Sequence, residues 1–311
     1  MEFIRGIHNL HAGHRGCVAS IGNYDGVHVG HQAIVRQVID KADEMSLPSL
    51  IVLFEPQPLE YFARSQAPAR LMRLRDKVLR LEALGIDRVL CLQFTSWLRK
   101  LNAEDFVHHV LVKGIGAKHL VIGDDFRFGH DRSGNFQYLK QAGVKAGFAV
   151  EDTNTVEING QRVSSTRVRQ ALLASDFDEV SQLLGTAYSI QGRVILGKQL
   201  GRTIGVPTAN IKLHRKKSPL AGTYLVDFEC ENGQVVNGLA NIGTRPTVNG
   251  VGELLEVHLL DFNEDLYGDK VSVTFLSKLR DEQKFPDLDS LKTQIGKDIK
   301  QARDYFLKRR E

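Results

Sequence analysis

Gly22-Asn23-Tyr24-Asp25-Gly26-Val27-His28-Val29-Gly30-His31 follows the apolar run Cys17-Val18-Ala19-Ser20-Ile21 and leads into Gln32 to Ala42. The apolar run reads as a buried strand, and Ile34, Val35, Val38, Ile39 and Ala42 recur at helical spacing. His28-x-Gly30-His31 therefore falls at a strand-to-helix turn, where free backbone N–H groups and the helix dipole favour an anion. Two imidazoles there can hydrogen-bond a polyphosphate and stabilise charge as it moves from attacked to leaving oxygen. The chemistry implied is nucleotidyl transfer. Taken alone, the four residues are more simply a helix start with surface histidines.

Working outward, the first half alternates strand and helix signals. Leu50 to Phe54, Arg88 to Leu92 and His119 to Ile122 are short apolar runs. Between them lie a stripe of Leu71, Leu74, Val78, Leu81 and Leu84 stopped by Gly85, and a helical stretch from Ala103 to Val112. This rhythm predicts α/β architecture, a mostly parallel, doubly wound sheet whose ligands bind beyond the carboxyl ends of the strands. His28, Glu55 and Asp125 all fall just after predicted strands, on that edge. Two short helices, Thr166 to Ala174 and Asp178 to Leu184, close this half. Then the pattern changes: Tyr188 to Ile195, Thr223 to Glu229, Val235 to Ile242, Leu254 to Leu260 and Lys270 to Leu276 are β-rich and separated by Gly and Asn turns. Such spacing predicts an antiparallel β-barrel, followed by a terminal helix with Leu288, Leu291, Ile295, Ile299, Ala302 and Phe306 on one face. The expected domains are 1–185 and 186–311.

Composition narrows the class. The 311 residues carry 41 basic and 37 acidic side chains, a net charge of +4, which suits small anionic substrates and gives no case for nucleic acid. Cys17, Cys91 and Cys230 are far apart and odd in number, against a disulfide framework or zinc cluster. Met1 to Arg5 lacks the apolar core of a signal peptide and no run is long enough to span a bilayer, so a cytoplasmic protein without membrane association is expected. A homo-oligomer is compatible with the sequence. His8, His11 and His14 suggest a metal by spacing, but Gly13 and Gly16 argue for a loop.

Four further clusters carry chemistry. Gly123-Asp124-Asp125-Phe126-Arg127-Phe128-Gly129 sets carboxylates and Arg127 among aromatics, able to hold a planar ring or a ribose, or simply to form a capped turn. Val163-Ser164-Ser165-Thr166-Arg167-Val168-Arg169 places hydroxyls and two arginines at a helix start; the arginines oppose the helix dipole, and a bound anion would compensate them. Gly197-Lys198-Gln199-Leu200-Gly201-Arg202-Thr203-Ile204-Gly205-Val206-Pro207-Thr208-Ala209-Asn210 lacks a P-loop ending, yet its glycines let amides approach phosphates, and Thr208 and Asn210 offer oxygens to a hard cation such as Mg²⁺. In Leu254-Leu255-Glu256-Val257-His258-Leu259 the alternation puts Glu256 and His258 on one face, most simply a solvated strand face; a carboxylate turned instead to a barrel interior could take a proton from a hydroxyl.

These residues resemble the prokaryotic bifunctional riboflavin kinase/FMN adenylyltransferase (FAD synthetase) family over nearly the whole chain. GNYDGVHVGHQ, FEPQP, GDDFRFG and VSSTRVR stand in the family's order, with Tyr24 and Val163 where Phe and Ile are usual. The barrel half carries the GxxLGRxxGxPTAN pattern from Gly197 to Asn210, NIGTRPT, EVHLLDF and KLRDEQKF. The resemblance implies that ATP phosphates meet His28 and His31, with Gly22, Asn23, Asp25 and Gly30 in the same nucleotide-binding turn. It implies that Asp125 and Arg127 bind substrate and that Ser164, Thr166 and Arg167 hold phosphates. In the barrel it implies Glu256 as general base and Thr208 and Asn210 on Mg²⁺. Gly197, Lys198, Gly201 and Gly205 would line the ATP loop, and Arg280 would lie in a flavin loop. Val248 to Gly252 lacks the family's frequent Phe. ATP, riboflavin, FMN and FAD are the implied small-molecule substrates and products.

Three rival readings give distinct expectations. A single-activity FMN adenylyltransferase with a flavin-binding but non-catalytic barrel would not need Thr208, Asn210 and Glu256. A flavin- or nucleotide-sensing module would bind without releasing pyrophosphate. An aminoacyl-tRNA ligase would want a KMSKS-like loop, which this sequence lacks.

Overall fold

The computed structural model describes all residues except 64–65, 124, 198–200, 202–204, 216, 248–249 and 311, and describes 244–247, 250–252 and 310 by their backbone alone. Two compact units divide the chain: Met1–Pro68 with Leu74–Ser165, and Ala69–Arg73 with Thr166–Glu311.

The first unit is built on a six-stranded parallel sheet. In chain order it comprises β1 (Glu2–Arg5), β2 (Cys17–Ile21), α1 (Val29–Met45), β3 (Ser49–Glu55), α2 (Pro58–Ala63), α3 (Leu74–Ala83) and β4 (Arg88–Gln93). Then come α4 (Ser96–Lys100), α5 (Ala103–Phe106), β5 (Ala117–Ile122), α6 (Phe136–Ala146), β6 (Ala149–Asp152) and a small antiparallel hairpin, β7 (Glu157–Ile158) and β8 (Gln161–Arg162). The sheet order is β1-β4-β3-β2-β5-β6, every neighbouring pair parallel. All five residues of β2 are buried, as are the first five of β3, because a sheet covered on both faces needs continuous apolar runs. The expected helix from Ala103 is present, but its second half, Val107–Val112, winds as a π-helix. Strand β2 connects through α1 to β3 on one side, and β5 connects through α6 to β6 on the other. The topological switch point therefore lies between the carboxyl ends of β2 and β5, where such sheets bind ligands.

The second unit opens with α7 (Ser165–Ala174), whose first residue belongs to the first unit, and α8 (Phe177–Leu184). A closed six-stranded barrel follows: β9 (Ser189–Ile195), β10 (Ala209–Lys212), β11 (Gly222–Glu229), β12 (Val235–Thr247), β13 (Gly250–Leu259) and β14 (Lys270–Arg280), ordered β10-β13-β12-β11-β14-β9. Helix α9 (Leu288–Arg310) ends the chain. By compactness, α7 and α8 go with the barrel: Phe177 lies edge-on to Tyr224 at 6.0 Å and stacks with Phe275 at 6.4 Å.

The barrel's two faces are chemically distinct. Ile211, Leu255, Ile242, Val257, Ala240, Val226, Phe228, Val273 and Phe275 share one face through the strand register and are essentially without exposure, so they fill the interior. The opposite face carries Leu225 and Leu239, on which Ala302 and Phe306 of α9 pack. The three cysteines are buried and unbridged; burial pushes the Cys17 thiol up to about 12.

Candidate active sites

The turn between β2 and α1 is strained and held from several sides. Tyr24, Gly26 and Val27 all have positive φ, at 48°, 84° and 42°. For the β-branched Val27 this is an uncommon conformation that persists only where the surroundings impose it. Tyr24 Oη donates to Ser20 Oγ at 2.7 Å, Gln32 Nε2 to the Val27 carbonyl at 2.9 Å, and Ser165 Oγ to the Asp25 carbonyl at 2.8 Å. Lys77 Nζ donates to the Asn23 carbonyl. Asp25 and His28 are buried beneath this frame.

His28 is the N-cap of α1: its Nδ1 accepts the His31 backbone N–H at 3.3 Å. On the neutral ring the proton therefore sits on Nε2, which makes that nitrogen a donor. The rings of His28 and His31 stack with centroids 3.6 Å apart, and Tyr24 lies 4.8 Å from His31. Gly30 makes the stack possible, since a Cβ there would meet His28 Nδ1 at 3.2 Å. Burial first, then the neighbouring His28 and Lys77, hold the His31 pKa well below the usual imidazole value. Its Nδ1 and the Oδ1 of Asn23 are buried atoms without a hydrogen-bond partner among the described residues. Gly22 sits against the Tyr24 ring, 3.1 Å from where its Cβ would be.

After β5, Phe126 N donates to the Gly123 carbonyl at 3.1 Å, a tight turn that leaves Asp125 and Arg127 exposed. Asp125 faces Arg162 Nη2 at 3.3 Å, and Arg127 Nη1 donates to its neighbour's carbonyl, Phe126, at 2.8 Å. Ser164 lies half-buried just before α7. Sequence reading missed an aromatic cluster after β3: Phe94 has Phe54, Tyr61 and Phe62 edge-on at 6.1, 5.4 and 5.7 Å, and Phe62 is 59% exposed. The FEPQP motif was visible, but the partner Phe94 is far away in sequence. Gln57 of that motif is buried, with Nε2 lacking a partner among the described residues.

In α7, Thr166 is exposed and Arg167 is half-buried. Arg167 Nη2 and Nε both lie 2.8 Å from Glu179 Oε1. Arg169 Nε donates to the Ala69 carbonyl at 2.6 Å. The arginines at this helix start thus have compensation from the protein itself, where the sequence suggested a bound anion.

On the barrel, the register assembles a polar row. Asn210 on β10 pairs with Glu256 on β13, Glu256 with Asn241 on β12, Asn241 with Thr223 on β11, and Thr223 with Arg280 on β14. Directly paired residues share a face with Cβ atoms about 5 Å apart, so these five side chains run side by side across five strands. Thr223 Oγ1 lies 3.4 Å from Asn241 Oδ1. The row is on the outer face, opposite Leu255 and Val257, so of the two readings of the alternation the structure shows the solvated face and not the interior one. A six-stranded barrel has room inside only for its own apolar side chains, so the polar set of each alternating strand goes outward.

The loop ahead of β10 is tied to this row. His258 Nδ1 donates to the Pro207 carbonyl at 2.9 Å, and Asn210 Nδ2 donates to the Thr208 carbonyl at 3.2 Å. Asn210 Oδ1 is thereby oriented as an oxygen ligand, next in register to Glu256, and the Thr208 hydroxyl is half-exposed nearby in sequence. A Cβ on Gly197 would fall 2.5 Å from Asn210 Nδ2, and one on Gly201 2.3 Å from the Val206 carbonyl. Gly205 has φ 78°. Lys198 lies outside the described residues, as do the side chains of the Val248–Gly252 loop. Arg280 is engaged by α9: Nε and Nη2 both lie 2.9 Å from the buried Asp298 Oδ2, which Gln294 also supports, at Oδ1, at 2.8 Å.

At the N-terminus, ligand atoms of Glu2, His11 and His14 lie within 4.8 Å of one another, whereas spacing had suggested His8, His11 and His14. His14 Nδ1 accepts the His11 backbone N–H at 3.2 Å, leaving Nε2 protonated toward Glu2 Oε1 at 2.8 Å. Both ring nitrogens are thus used in a hydrogen-bonded clasp.

A histidine turn at the switch point of a parallel sheet, and a carboxylate between two asparagines on a barrel wall, define a two-domain nucleotide-dependent transferase. Family models for FAD synthetase and riboflavin kinase match residues 10–167 and 184–306. The bifunctional riboflavin kinase/FMN adenylyltransferase of Pseudomonas fluorescens is 53% identical, with 97% of each chain covered, and that of Escherichia coli K12 is 48% identical, with 98% of each covered. A solved structure described as a macrolide-efflux protein from Streptococcus pneumoniae is 30% identical with a TM-score of 0.78, covering 97% of this chain and 99% of that one. Among the described residues no helix is long and apolar enough to cross a membrane. The chain belongs to the bifunctional riboflavin kinase/FMN adenylyltransferase family.

Proposed function

We propose that the family's two reactions are divided between residues 186–311, which phosphorylate riboflavin to FMN, and residues 1–185, which adenylylate FMN to FAD. The observation that carries the kinase half is the register pairing of Asn210 with Glu256. Glu256 takes the proton of the ribityl 5′-hydroxyl as its oxygen attacks the γ-phosphorus of ATP; the β–γ bridging bond breaks and ADP leaves. Thr208 and Asn210 would hold Mg²⁺: two uncharged oxygens, one oriented by its own amide, fit a hard cation. When bound, the ion neutralises charge on the transferring phosphates. Gly197, Lys198, Gly201 and Gly205 shape the loop over ATP, and Arg280, positioned by Asp298, borders the flavin.

In the first unit an oxygen of the FMN phosphate attacks the α-phosphorus of ATP in line, and pyrophosphate leaves. His28 donates from Nε2 to the phosphates, and His31 meets them through its buried, unpartnered ring nitrogen. Gly22, Asn23, Asp25 and Gly30 form the nucleotide-binding turn. Asp125 and Arg127 bind substrate, and the Phe54–Phe62–Phe94 surface offers a face for a flavin ring. On the family motif, Ser164, Thr166 and Arg167 hold phosphates, Arg167 after exchanging its present partner Glu179. We place the protein in the cytoplasm, acting on small molecules without nucleic acid or membrane. Incubation with riboflavin and Mg-ATP, followed by chromatography, tests the reading. FAD formation supports both halves, FMN alone removes the adenylylation assignment, and no conversion overturns both.

A further inference from the structure

Lys77 is a buried lysine that neither the sequence motifs nor the reaction scheme uses. It lies on α3, is only 2% exposed, and reaches the Asn23 carbonyl at the start of the strained histidine turn. A buried ammonium is expensive to desolvate and is retained where hydrogen bonds and a defined role compensate. Three other side chains, Tyr24, Gln32 and Ser165, fix this turn from the sheet, from α1 and from the start of α7, but none of them carries charge. Lys77 brings both a hydrogen bond and a full positive charge.

We propose that Lys77 is a positioning residue of the adenylylation site, pinning the turn through the Asn23 carbonyl and setting a fixed positive charge beside His31. Helix α1 packs on β2, β3 and β5, whose titratable side chains are Cys17, Glu55, Lys118 and His119. Among the described residues the charge effects at His31 come instead from His28 and Lys77, with the Tyr24 phenol 4.8 Å away, ring to ring. The consequence is a division of labour. Burial and the lysine hold the His31 pKa down, so that its ring serves as an uncharged hydrogen-bonding group, while the lysine's charge favours an anionic polyphosphate. A histidine left to titrate near its ordinary value would change charge across the working range.

The inference rests on the adenylylation reading, and its test separates the two. Wild-type conversion of FMN to FAD checks the reading itself. Lys77→Gln keeps a donor for the Asn23 carbonyl and removes the charge; Lys77→Met removes both. For Lys77→Gln the expected result is an upward move of the His31 titration, read by NMR on the ring Cε1–H, of about one pH unit. FAD formation should fall roughly tenfold in kcat, with an altered pH profile and riboflavin phosphorylation unchanged. Lys77→Met should lose more, and Lys77→Arg should keep His31 uncharged at neutral pH. Wild-type kcat and an unmoved His31 titration in Lys77→Gln would overturn the proposal, as would a loss in Lys77→Arg equal to that in Lys77→Met with His31 unmoved in both. If Lys77→Met fails to fold, the Lys77→Gln titration decides.

Discussion

Gly197 has no side chain because Asn210 fills the space one would need: a Cβ there would approach the Asn210 amide to 2.5 Å. The obstructing atom is the end of a side chain, so Gly197→Ala should move the amide and leave the backbone where it is. The expected outcome is a loss of about tenfold or more in riboflavin phosphorylation with raised Mg²⁺ demand, a melting temperature within about 2 °C, and unaltered FMN adenylylation; a Mg²⁺ titration of FMN formation checks it. His31 gives a pH prediction. Its pKa is depressed in the folded state and ordinary, near 6.5, when unfolded, so below that value the unfolded chain binds more protons. Stability should then rise with pH up to about 6.5 and flatten above it, by at most about 1.4 kcal/mol per unit from this one group. His119, lowered by burial against the pull of Glu151, adds in the same direction. Melting curves from pH 5 to 7.5 should show the slope shrinking in His31→Gln; an unchanged slope would assign it elsewhere. At this scale the paired histidines, Glu256, Thr208 and Asn210 stood out in the sequence because they sit in ordered motifs that resemble a known family, more than by their spacing alone. Lys77, Ser165 and Phe94 did not, because what matters about each is a partner more than 30 residues away.

At the scale of elements, the alternation of buried runs and amphipathic stripes in the first half reads directly as a parallel sheet. The strands it hides are the short ones with charged ends: Glu2–Arg5, Ala149–Asp152 and Ala209–Lys212. Their few residues offer no periodicity, and only pairing with a neighbour makes them strands. Orientation was hidden for a different reason. Alternation in β13 separates Glu256 from Leu255, yet which side is interior depends on barrel closure, a property of six strands together. The apolar stripe of α9 was plain, and the structure shows what it covers: Ala302 and Phe306 sit on Leu225 and Leu239 of the outer wall. Phe306→Ala should destabilise the second unit by about 3 kcal/mol. Urea unfolding should show the transition of the second unit moved to lower urea and coinciding with loss of riboflavin phosphorylation. A single unshifted transition would mean that α9 contributes little to the barrel.

For the whole molecule, the arrangement of two sites on one chain predicts separable defects. His28→Asn is a clean probe of the first site, because asparagine is itself a favoured N-cap and can still accept the His31 backbone N–H. What it removes is the Nε2 donor, and loss of one such donor at a transition state is typically about 10²–10³ in rate. Glu256→Gln keeps the shape and hydrogen bonding of the polar row and removes the base, about 10²–10⁴ in rate. Supplied with riboflavin and Mg-ATP, the first variant should accumulate FMN and the second should leave riboflavin unconverted, while still turning supplied FMN into FAD. FMN formation at the wild-type rate by Glu256→Gln would dismiss it as the base. Mixed together, the variants can make FAD from riboflavin only if FMN leaves one molecule and enters another. A lag in FAD that shortens as the mixture is concentrated, and disappears when FMN is added at the start, is the outcome expected of two sites linked by a diffusing intermediate.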